Sequence, residues 1–289
     1  MLDFTAKLHN SCILNAVAIG GPEETRTMDT LEKNQKAFTG QSAGFSSDGE
    51  TYADPDELLW MLEDLPVSAH ARVLDIATGT GEFARAIAPR VASVVGLDAT
   101  QAMLDQGKKF IERAGIGNIS FQKGIAQDLP FDDESFDIVS SRYAFHHFAD
   151  PGPVIAEMVR VCNTGGHIII VDIIVPDIST ATEYNYYEWL CDQSHTRALN
   201  PGEFETHFHL FGLEVVSART RTLENEFIEW MDFSLTGEKH QQEILHSARA
   251  ELGGGPKTGL TPYMEDGVFR FRQLGLSIVG HKRRQADIS

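Results

Sequence analysis

Short apolar runs alternate with longer amphipathic segments through the centre of the chain. Five runs rich in β-branched residues predict strands, within residues 72–77, 93–98, 118–124, 135–144 and 167–175. Amphipathic segments predict helices between them, over residues 82–91, 101–114 and 153–161. Apolar strands that alternate with helices are typical of a parallel sheet covered on both faces.

Further elements are predicted on both sides of this centre. They are a helix over 55–64, a strand over 213–219, helices over 224–235 and 238–252, and closing strand material in the run VFRFRQLGLSIVGHK after a Gly-rich break at 253–256. The stretches between the fifth strand and the last are longer than ordinary loops. We therefore expect segments that cover a site over about residues 176–209 and 223–266, and we expect a further covering segment over about residues 35–64.

A glycine turn follows the first strand and opens a helix. Asp75 lies inside the end of that strand, and Gly79 and Gly81 form the turn. Glycine is needed where the backbone turns sharply and approaches a ligand without a Cβ in the way. Asp98 ends the second strand, where its carboxylate can accept hydrogen bonds from both hydroxyls of a ribose.

Several ligands remain open for this turn. The pattern Gly79-x-Gly81-x-x-Ala84 also satisfies the dinucleotide motif of nicotinamide-dependent oxidoreductases,. Asp75 argues against that ligand, because a carboxylate there repels a pyrophosphate and pairs with an ammonium group. A ligand with a ribose at one end and an ammonium at the other is S-adenosylmethionine. A turn without any ligand is the plain structural alternative.

Five motifs together resemble the class I S-adenosylmethionine-dependent methyltransferases. They are VLDIATGTGEFA, GLDAT, GIAQDLPFDDESFDIV, SRYAFHHFADP and GGHIIIVD. Within that class the chain is similar to the small-molecule type 11 group of ubiquinone/menaquinone and YcgJ-like enzymes, over roughly residues 35–282. The resemblance implies an α/β, Rossmann-like, doubly wound sheet of seven strands in the order 3-2-1-4-5-7-6, with the last strand antiparallel and helical lid insertions. We expect one domain over 35–289 after a flexible leader over 1–34.

The resemblance also implies which residues hold the cofactor, S-adenosylmethionine. The expected cofactor-binding residues are Asp75, Ala77, Gly79, Gly81, Asp98, Ala99, Met103, Ala126, Gln127 and Arg142. The sequence departs from the family at Ile125, where an aspartate usually receives the adenine amino group. Backbone groups or Gln127 must take that role here, or the cofactor binds more weakly.

Methyl transfer needs a nucleophile held in line with the methyl group and, for some acceptors, a group that removes a proton. Imidazole titrates near neutral pH and suits that role. The catalytic candidates are His195, His146 and Tyr186, and the substrate-binding candidates are His147, Tyr184, Tyr187 and Arg197. His195 lies in a stretch similar to the D-P-S-H-x-R run of the YcgJ-like relatives, with Gln193 in place of the proline. The alternative is that these histidines and tyrosines only pack the loop and the lid.

The net charge and the cysteine content of the chain limit the kinds of partner that it is expected to bind. The 289 residues carry a formal net charge of −18, which argues against binding to nucleic acid or to anionic membranes. Three separated cysteines indicate neither a disulfide framework nor a zinc site, so we expect no metal and a cytoplasmic location. The expected partner is a small-molecule methyl acceptor such as a phenol or quinol, and a homodimer is compatible with the sequence. A protein that binds the cofactor on this fold without methylating remains the alternative.

Overall fold

The structure, a computed structural model, describes residues 23–42 and 55–283. Its helices there are α1 (Glu23–Gln41), α2 (Pro55–Leu62), α3 (Glu82–Ile87), α4 (Gln101–Ala114), α5 (Pro151–Val161), α6 (Ala181–Cys191), α7 (Pro201–Leu210), α8 (Phe227–Phe233) and α9 (Glu238–Leu252). Its strands are β1 (Arg72–Ile76), β2 (Ser93–Asp98), β3 (Ile119–Lys123), β4 (Phe136–Arg142), β5 (Cys162–Ile174), β6 (Leu213–Glu226), β7 (Tyr263–Glu265) and β8 (Val268–Lys282).

One sheet joins all of these strands in the order β3-β2-β1-β4-β5-β8-β6. Strands β1 to β5 pair in parallel, and β8 is antiparallel to both β5 and β6. The predicted order is therefore confirmed, with β8 as the family's seventh strand. The additional strand β7 pairs with β8 through the turn Asp266–Gly267, where both residues have positive φ. Such two-residue turns match the twist of a hairpin.

Alternate residues of each central strand pack on opposite faces of the sheet. Leu74 and Val139 belong to one buried apolar cluster, and their neighbours Val73 and Ile138 belong to another. Both faces of these strands are thus buried, as the apolar runs predicted. A third buried cluster includes residues of β5, α6, α8, α9 and β8. It packs helices α6, α8 and α9 against the strands β5 and β8.

The second half of the chain contains longer strands than the sequence predicts. β6 continues seven residues beyond the predicted end at 219, so residues 224–226 are strand and not helix. The added part alternates charged and polar side chains, which hides its strand character from a hydrophobicity pattern. It is stabilised by pairing with β8 up to Glu226. Strand context has overridden the local sequence preference here.

Helix α1 crosses residue 34, at which the sequence analysis ended a flexible leader. The side chain of Asn34 donates a hydrogen bond to the carbonyl of His147 (3.2 Å), and that of Gln35 donates to the carbonyl of Ala99 (3.1 Å). The last part of the expected leader therefore belongs to a helix that contacts the main body. Residues 1–22 lie outside the described residues, and the remaining domain limits stay a prediction.

Candidate active site

A cavity of about 960 Å³ lies at the carboxyl edge of the sheet. We call one side of it the glycine-turn half, lined by Asp75, Gly79, Asp98, Met103 and Gln127. We call the other side the β6–β8 half, lined by Glu188, Leu223, Trp230, Phe233 and Gln273. The carboxyl ends of parallel strands are where ligands bind in open α/β sheets.

The glycine turn has an unusual backbone. Ala77, Gly79 and Gly81 all have positive φ, at 53°, 56° and 81°. A Cβ on Gly79 would meet no atom within 4 Å, whereas one on Gly81 would lie 2.8 Å from the ring of Phe121. Ala77 and Gly79 line the cavity. Gly81 is not among the lining residues; its lack of a Cβ allows the turn to pack against Phe121, and its role in cofactor binding stays a prediction.

Asp75 is buried at the cavity wall. Its carboxylate accepts hydrogen bonds from the hydroxyls of Thr78 (2.5 Å) and Ser140 (2.9 Å). Burial raises the pKa of Asp75 to about 6, although the two hydroxyls act in the opposite direction. Register explains the arrangement, since Asp75 pairs directly with Ser140 on β4. A carboxylate in this state favours a positively charged ligand.

Asp98 fixes the turn from the neighbouring strand. Its two carboxylate oxygens accept hydrogen bonds from the backbone N–H groups of Gly79 and Thr100, each at 2.8 Å. Burial raises the pKa of Asp98, and these backbone donors lower it. The side chain lines the cavity. Asp98 therefore connects the glycine turn to the start of α4 and keeps a charged group at the cavity wall.

The predicted adenine-side residues also line the cavity. They are Ala99, Met103, Ala126 and Gln127. Ile125 is not among the lining residues, and it forms a β-bridge with Asp128. This bridge holds the short turn that presents Ala126 and Gln127 to the cavity.

Arg142, at the end of β4, is held between two carboxylates. Its guanidinium lies 2.9 Å from Glu82 and 3.6 Å from Glu57. Burial lowers the pKa of Arg142, but Glu82 and Glu57 raise it more, so it is raised overall. The hydroxyl of Tyr143 donates a hydrogen bond to Glu57. Arg142 lines the cavity, and these neighbours fix its position.

His146 forms a dyad with Asp172. Asp172 is fully buried near the end of β5, and its Oδ1 lies 2.5 Å from Nδ1 of His146. A carboxylate only accepts hydrogen bonds, so Nδ1 carries the proton and Nε2 is left able to accept one. Burial lowers the pKa of His146, but the Asp172 carboxylate outweighs it and the pKa is raised. His146 lines the cavity, and this pairing is the arrangement of a general base.

His147 has a different partner and a different titration. The hydroxyl of Ser194 donates to Asp192 (2.6 Å), so its oxygen accepts from Nδ1 of His147 (3.2 Å). Burial and the neighbouring His146 lower the pKa of His147 to about 4. His147 is therefore neutral at physiological pH. Its ring also packs edge-on against Phe38 of α1, at 5.0 Å between centroids.

His195 is also neutral. Asn185 Oδ1 accepts from the backbone N–H of Ala198 (2.7 Å), so it also accepts from Nε2 of His195 (2.8 Å). Burial and the two other histidines, His146 and His147, lower the pKa of His195 to about 2. The ring stacks on His146 with 5.5 Å between centroids. His195 lines the cavity, but its environment strongly disfavours holding a proton.

Four predicted catalytic or substrate residues do not line the cavity. Tyr186 is 43% exposed and its hydroxyl donates to Glu243 at 2.6 Å, and Arg197 pairs with Glu203 on the surface at 2.7 Å. Tyr184 is fully buried in the third apolar cluster, and Tyr187 packs against the same cluster. The prediction that these side chains face the site is therefore corrected. The helix spacing used for it was compatible with several faces, and α6 turns Glu188 toward the cavity instead.

Sequence reasoning missed several residues that line the cavity or support its wall. Asp172 had a visible signal, since it is a lone acid inside the apolar run of β5. Glu188 and Gln273 had none, because their hydrogen bond joins residues 85 positions apart. Asn34 lay in the expected leader. These residues are brought together by tertiary packing and not by a local motif.

The charge of the cavity fits a cationic ligand. Among the described residues, nine acidic side chains and three arginines line it. S-adenosylmethionine carries a sulfonium and an ammonium group, and the open space at Gly79 leaves room beside the turn. The sheet order, the glycine turn and the acids at the ends of β1 and β2 define the class of S-adenosylmethionine-dependent methyltransferases.

Comparisons with known proteins agree with this class. Residues 74–170 match the family described as Methyltransferase domain. The uncharacterized methyltransferase YcgJ of Bacillus subtilis is 32% identical over 213 residues, which are 73% of this chain and 84% of YcgJ. The ubiquinone/menaquinone biosynthesis C-methyltransferase UbiE of Idiomarina loihiensis is 33% identical over 41% of this chain and 49% of UbiE. The chain belongs to the YcgJ-like family of S-adenosylmethionine-dependent methyltransferases.

Solved structures agree as well. The crystal structure of YcgJ from Bacillus subtilis has a TM-score of 0.73 at 28% identity and covers 80% of this chain and 99% of that chain. The crystal structure of the protein BH2331 from Bacillus halodurans also has a TM-score of 0.73, at 29% identity, and covers 79% of this chain and 100% of that chain. The cofactor is S-adenosylmethionine. None of the described helices is long and apolar enough to cross a membrane.

Proposed function

We propose that the protein transfers the methyl group of S-adenosylmethionine to a hydroxyl of a small aromatic acceptor, a phenol or quinol. The observation that carries this proposal is the His146–Asp172 dyad at the cavity wall. Such a dyad serves an acceptor whose nucleophilic oxygen must lose a proton. The part of the cavity that the cofactor would not fill, together with its aromatic lining, suits a small aromatic acceptor.

The glycine-turn half holds the cofactor in this proposal. Asp98 accepts hydrogen bonds from the ribose hydroxyls, and Asp75 attracts the ammonium of the methionine part. Ala126 and Gln127 border the adenine, where Gln127 takes the role that the family gives to an aspartate. The bound cofactor supplies an electrophilic methyl group. The acidic lining described above supports this assignment because it stabilises a cation,.

His146 takes the proton from the acceptor hydroxyl at Nε2. Asp172 stabilises the imidazolium that results, because its carboxylate remains hydrogen-bonded to Nδ1,. His195 was the first catalytic candidate from sequence, but its low pKa makes it a poor proton acceptor. We assign His195 to packing against the His146 ring.

The β6–β8 half seats the acceptor. Trp230 and Phe233 of α8 line this half, and Phe38 of α1 lines the cavity beside His147. A net charge of −18 supports a small acceptor over a nucleic acid,. The free, buried thiols of Cys162 and Cys191 are compatible with a reducing, cytoplasmic setting,.

The direct test is formation of S-adenosylhomocysteine from S-adenosylmethionine with a panel of phenols and quinols, followed by mass spectrometry. We expect product that carries one added methyl group, and much less product with His146→Gln. Cofactor binding without any methylation would instead support a non-methylating protein on the same fold. Turnover of NAD(P)H would support the oxidoreductase alternative.

A further inference from the structure

Glu188 is a buried acid that the proposed transfer does not use. It lies in α6, is 5% exposed and lines the β6–β8 half. The side-chain amide of Gln273 donates a hydrogen bond to Oε1 of Glu188 at 2.6 Å. In the described part of the chain, no lysine or arginine forms an ion pair with it. A buried carboxylate without a lysine or arginine partner is unfavourable, so a proton, the nearby His146 ring when it is protonated or a cationic ligand stabilises this site.

The position of the Glu188 carboxyl is fixed by two strands. Asn225 of β6 donates a hydrogen bond to Oε1 of Gln273 of β8 at 2.9 Å. This contact leaves the NH₂ group of Gln273 directed to Glu188, because an amide oxygen cannot donate. The orientation of Glu188 is thus set by a chain of side chains that β6 and β8 supply. Such a positioned buried group at a cavity wall is typical of a recognition site.

The surrounding half of the cavity is acidic. Its charged lining residues are Glu188, Asp192, Glu224, Glu226, Glu229, Arg221 and Arg270. Arg270 lies 2.6 Å from Glu226 and Arg272 lies 3.3 Å from Glu224, so the charges of these two pairs offset each other. The excess of carboxylates favours a positively charged group over an anion.

The titration of Glu188 is compatible with such a ligand. Burial raises its pKa to about 7. Gln273, Tyr184 and His146 lower the pKa, and the nearby Asp192 raises it. A bound cation favours the ionised form and replaces the proton.

We propose that Glu188 binds an ammonium group of the acceptor while the acceptor hydroxyl faces His146. This inference rests on the proposed function and narrows its substrate class to phenols or quinols that bear an aliphatic amine. Glu188 then acts as a specificity-determining residue, and its hydrogen bond to Gln273 keeps it in place. A charge-assisted hydrogen bond in a buried site is strong enough to select between acceptors of equal size.

The test uses three phenols of matched shape: tyramine, tyrosol and para-propylphenol, whose side chains end in ammonium, hydroxyl and methyl. Calorimetry on the full chain saturated with S-adenosylhomocysteine gives their dissociation constants. Mass spectrometry with S-adenosylmethionine gives their methylation rates. We expect tyramine to bind about tenfold more tightly than para-propylphenol. Glu188→Gln should remove this preference without changing the cofactor dissociation constant, whereas Glu183→Gln, at an exposed position on the same helix, should keep it.

The outcomes separate the two proposals. Equal binding of the three phenols, absence of tyramine binding, or a preference that persists in Glu188→Gln overturns the role of Glu188. A preference that Glu188→Gln removes, without methylation of any phenol, supports that role and contradicts the proposed methyl transfer. If Glu188→Gln does not fold, Glu188→Asp keeps the charge and shortens the side chain. Its preference for tyramine should be lower, and an unchanged preference would contradict the proposal.

Discussion

The two halves of the cavity are built in different ways. In the glycine-turn half, Asp98 binds a backbone N–H only 19 positions away in the sequence, and strand register places Asp75 beside Ser140. In the β6–β8 half, the contact between Glu188 and Gln273 spans 85 positions and joins two side chains. Backbone geometry therefore defines the first half, and side-chain packing defines the second. A common cofactor and a variable acceptor suit this division.

The largest expected effect tests the proposed general base, His146. His146→Gln should lower kcat about a thousandfold, because general-base catalysis contributes on that order, and leave the cofactor dissociation constant unchanged. Steady-state kinetics and calorimetry measure the two quantities. His195→Gln is the matched control, and we expect a much smaller loss. If the two variants lose equal activity, the dyad is not the base.

The pH dependence of kcat is a second test of the His146–Asp172 dyad. The neutral form of His146 is the base, so kcat should rise with pH through a pKa above the ordinary value of histidine, which Asp172 raises. In Asp172→Asn this support is lost and burial lowers the pKa, so the rise should move to lower pH while the maximum rate falls. An unchanged pH profile in Asp172→Asn would show that Asp172 does not raise the pKa of the group that controls kcat.

Asp98→Ala should weaken cofactor binding in the glycine-turn half and leave the β6–β8 half unchanged. It removes two charge-assisted contacts to a ribose, so we expect the cofactor dissociation constant to increase about a hundredfold. Asp105→Ala, on the exposed side of α4, removes the same charge without touching the cavity. Calorimetry with S-adenosylmethionine compares the two. Equal affinities would place the ribose elsewhere.

Asp75 predicts a pH dependence of cofactor binding. Its pKa is raised to about 6 in the free protein, and only the ionised form attracts an ammonium group. Cofactor affinity should therefore fall about tenfold as the pH is lowered from neutral to about 5. Thr78→Val removes a hydrogen bond that lowers this pKa, so the loss should begin at higher pH. A titration that is flat across this range would contradict the role of Asp75.

The smallest effects concern the residues that the structure moves away from the cavity. Tyr186→Phe and Arg197→Ala remove surface contacts to Glu243 and Glu203. Each should change kcat/KM less than about twofold and the free energy of unfolding by less than about 0.5 kcal/mol. Kinetics and chemical denaturation measure these changes. A large loss of activity would indicate that Tyr186 or Arg197 takes part in acceptor binding after all.

The comparison of the halves also explains which features the sequence predicts. The glycine turn and the position of Asp98 at the end of β2 follow from local patterns, and the order of the sheet follows from the family resemblance; the structure agrees with all three. The extension of β6 does not, since its polar and charged residues, such as Arg221 and Glu224, form a strand only by pairing with β8. The face of α6 that meets the cavity depends on tertiary packing, so tyrosine spacing suggested the wrong side chains. Asp172 is visible as an acid in an apolar strand and His146 as a catalytic candidate, but their pairing is not, because it joins side chains 26 positions apart.

The nine carboxylates around the cavity also bear on turnover. Methyl donation converts a sulfonium into an uncharged thioether, so the spent nucleoside has one positive charge fewer than the molecule that entered. An acidic lining attracts the first more than the second,. We therefore expect the enzyme to discard its by-product readily and to resist product inhibition, an advantage wherever S-adenosylhomocysteine accumulates.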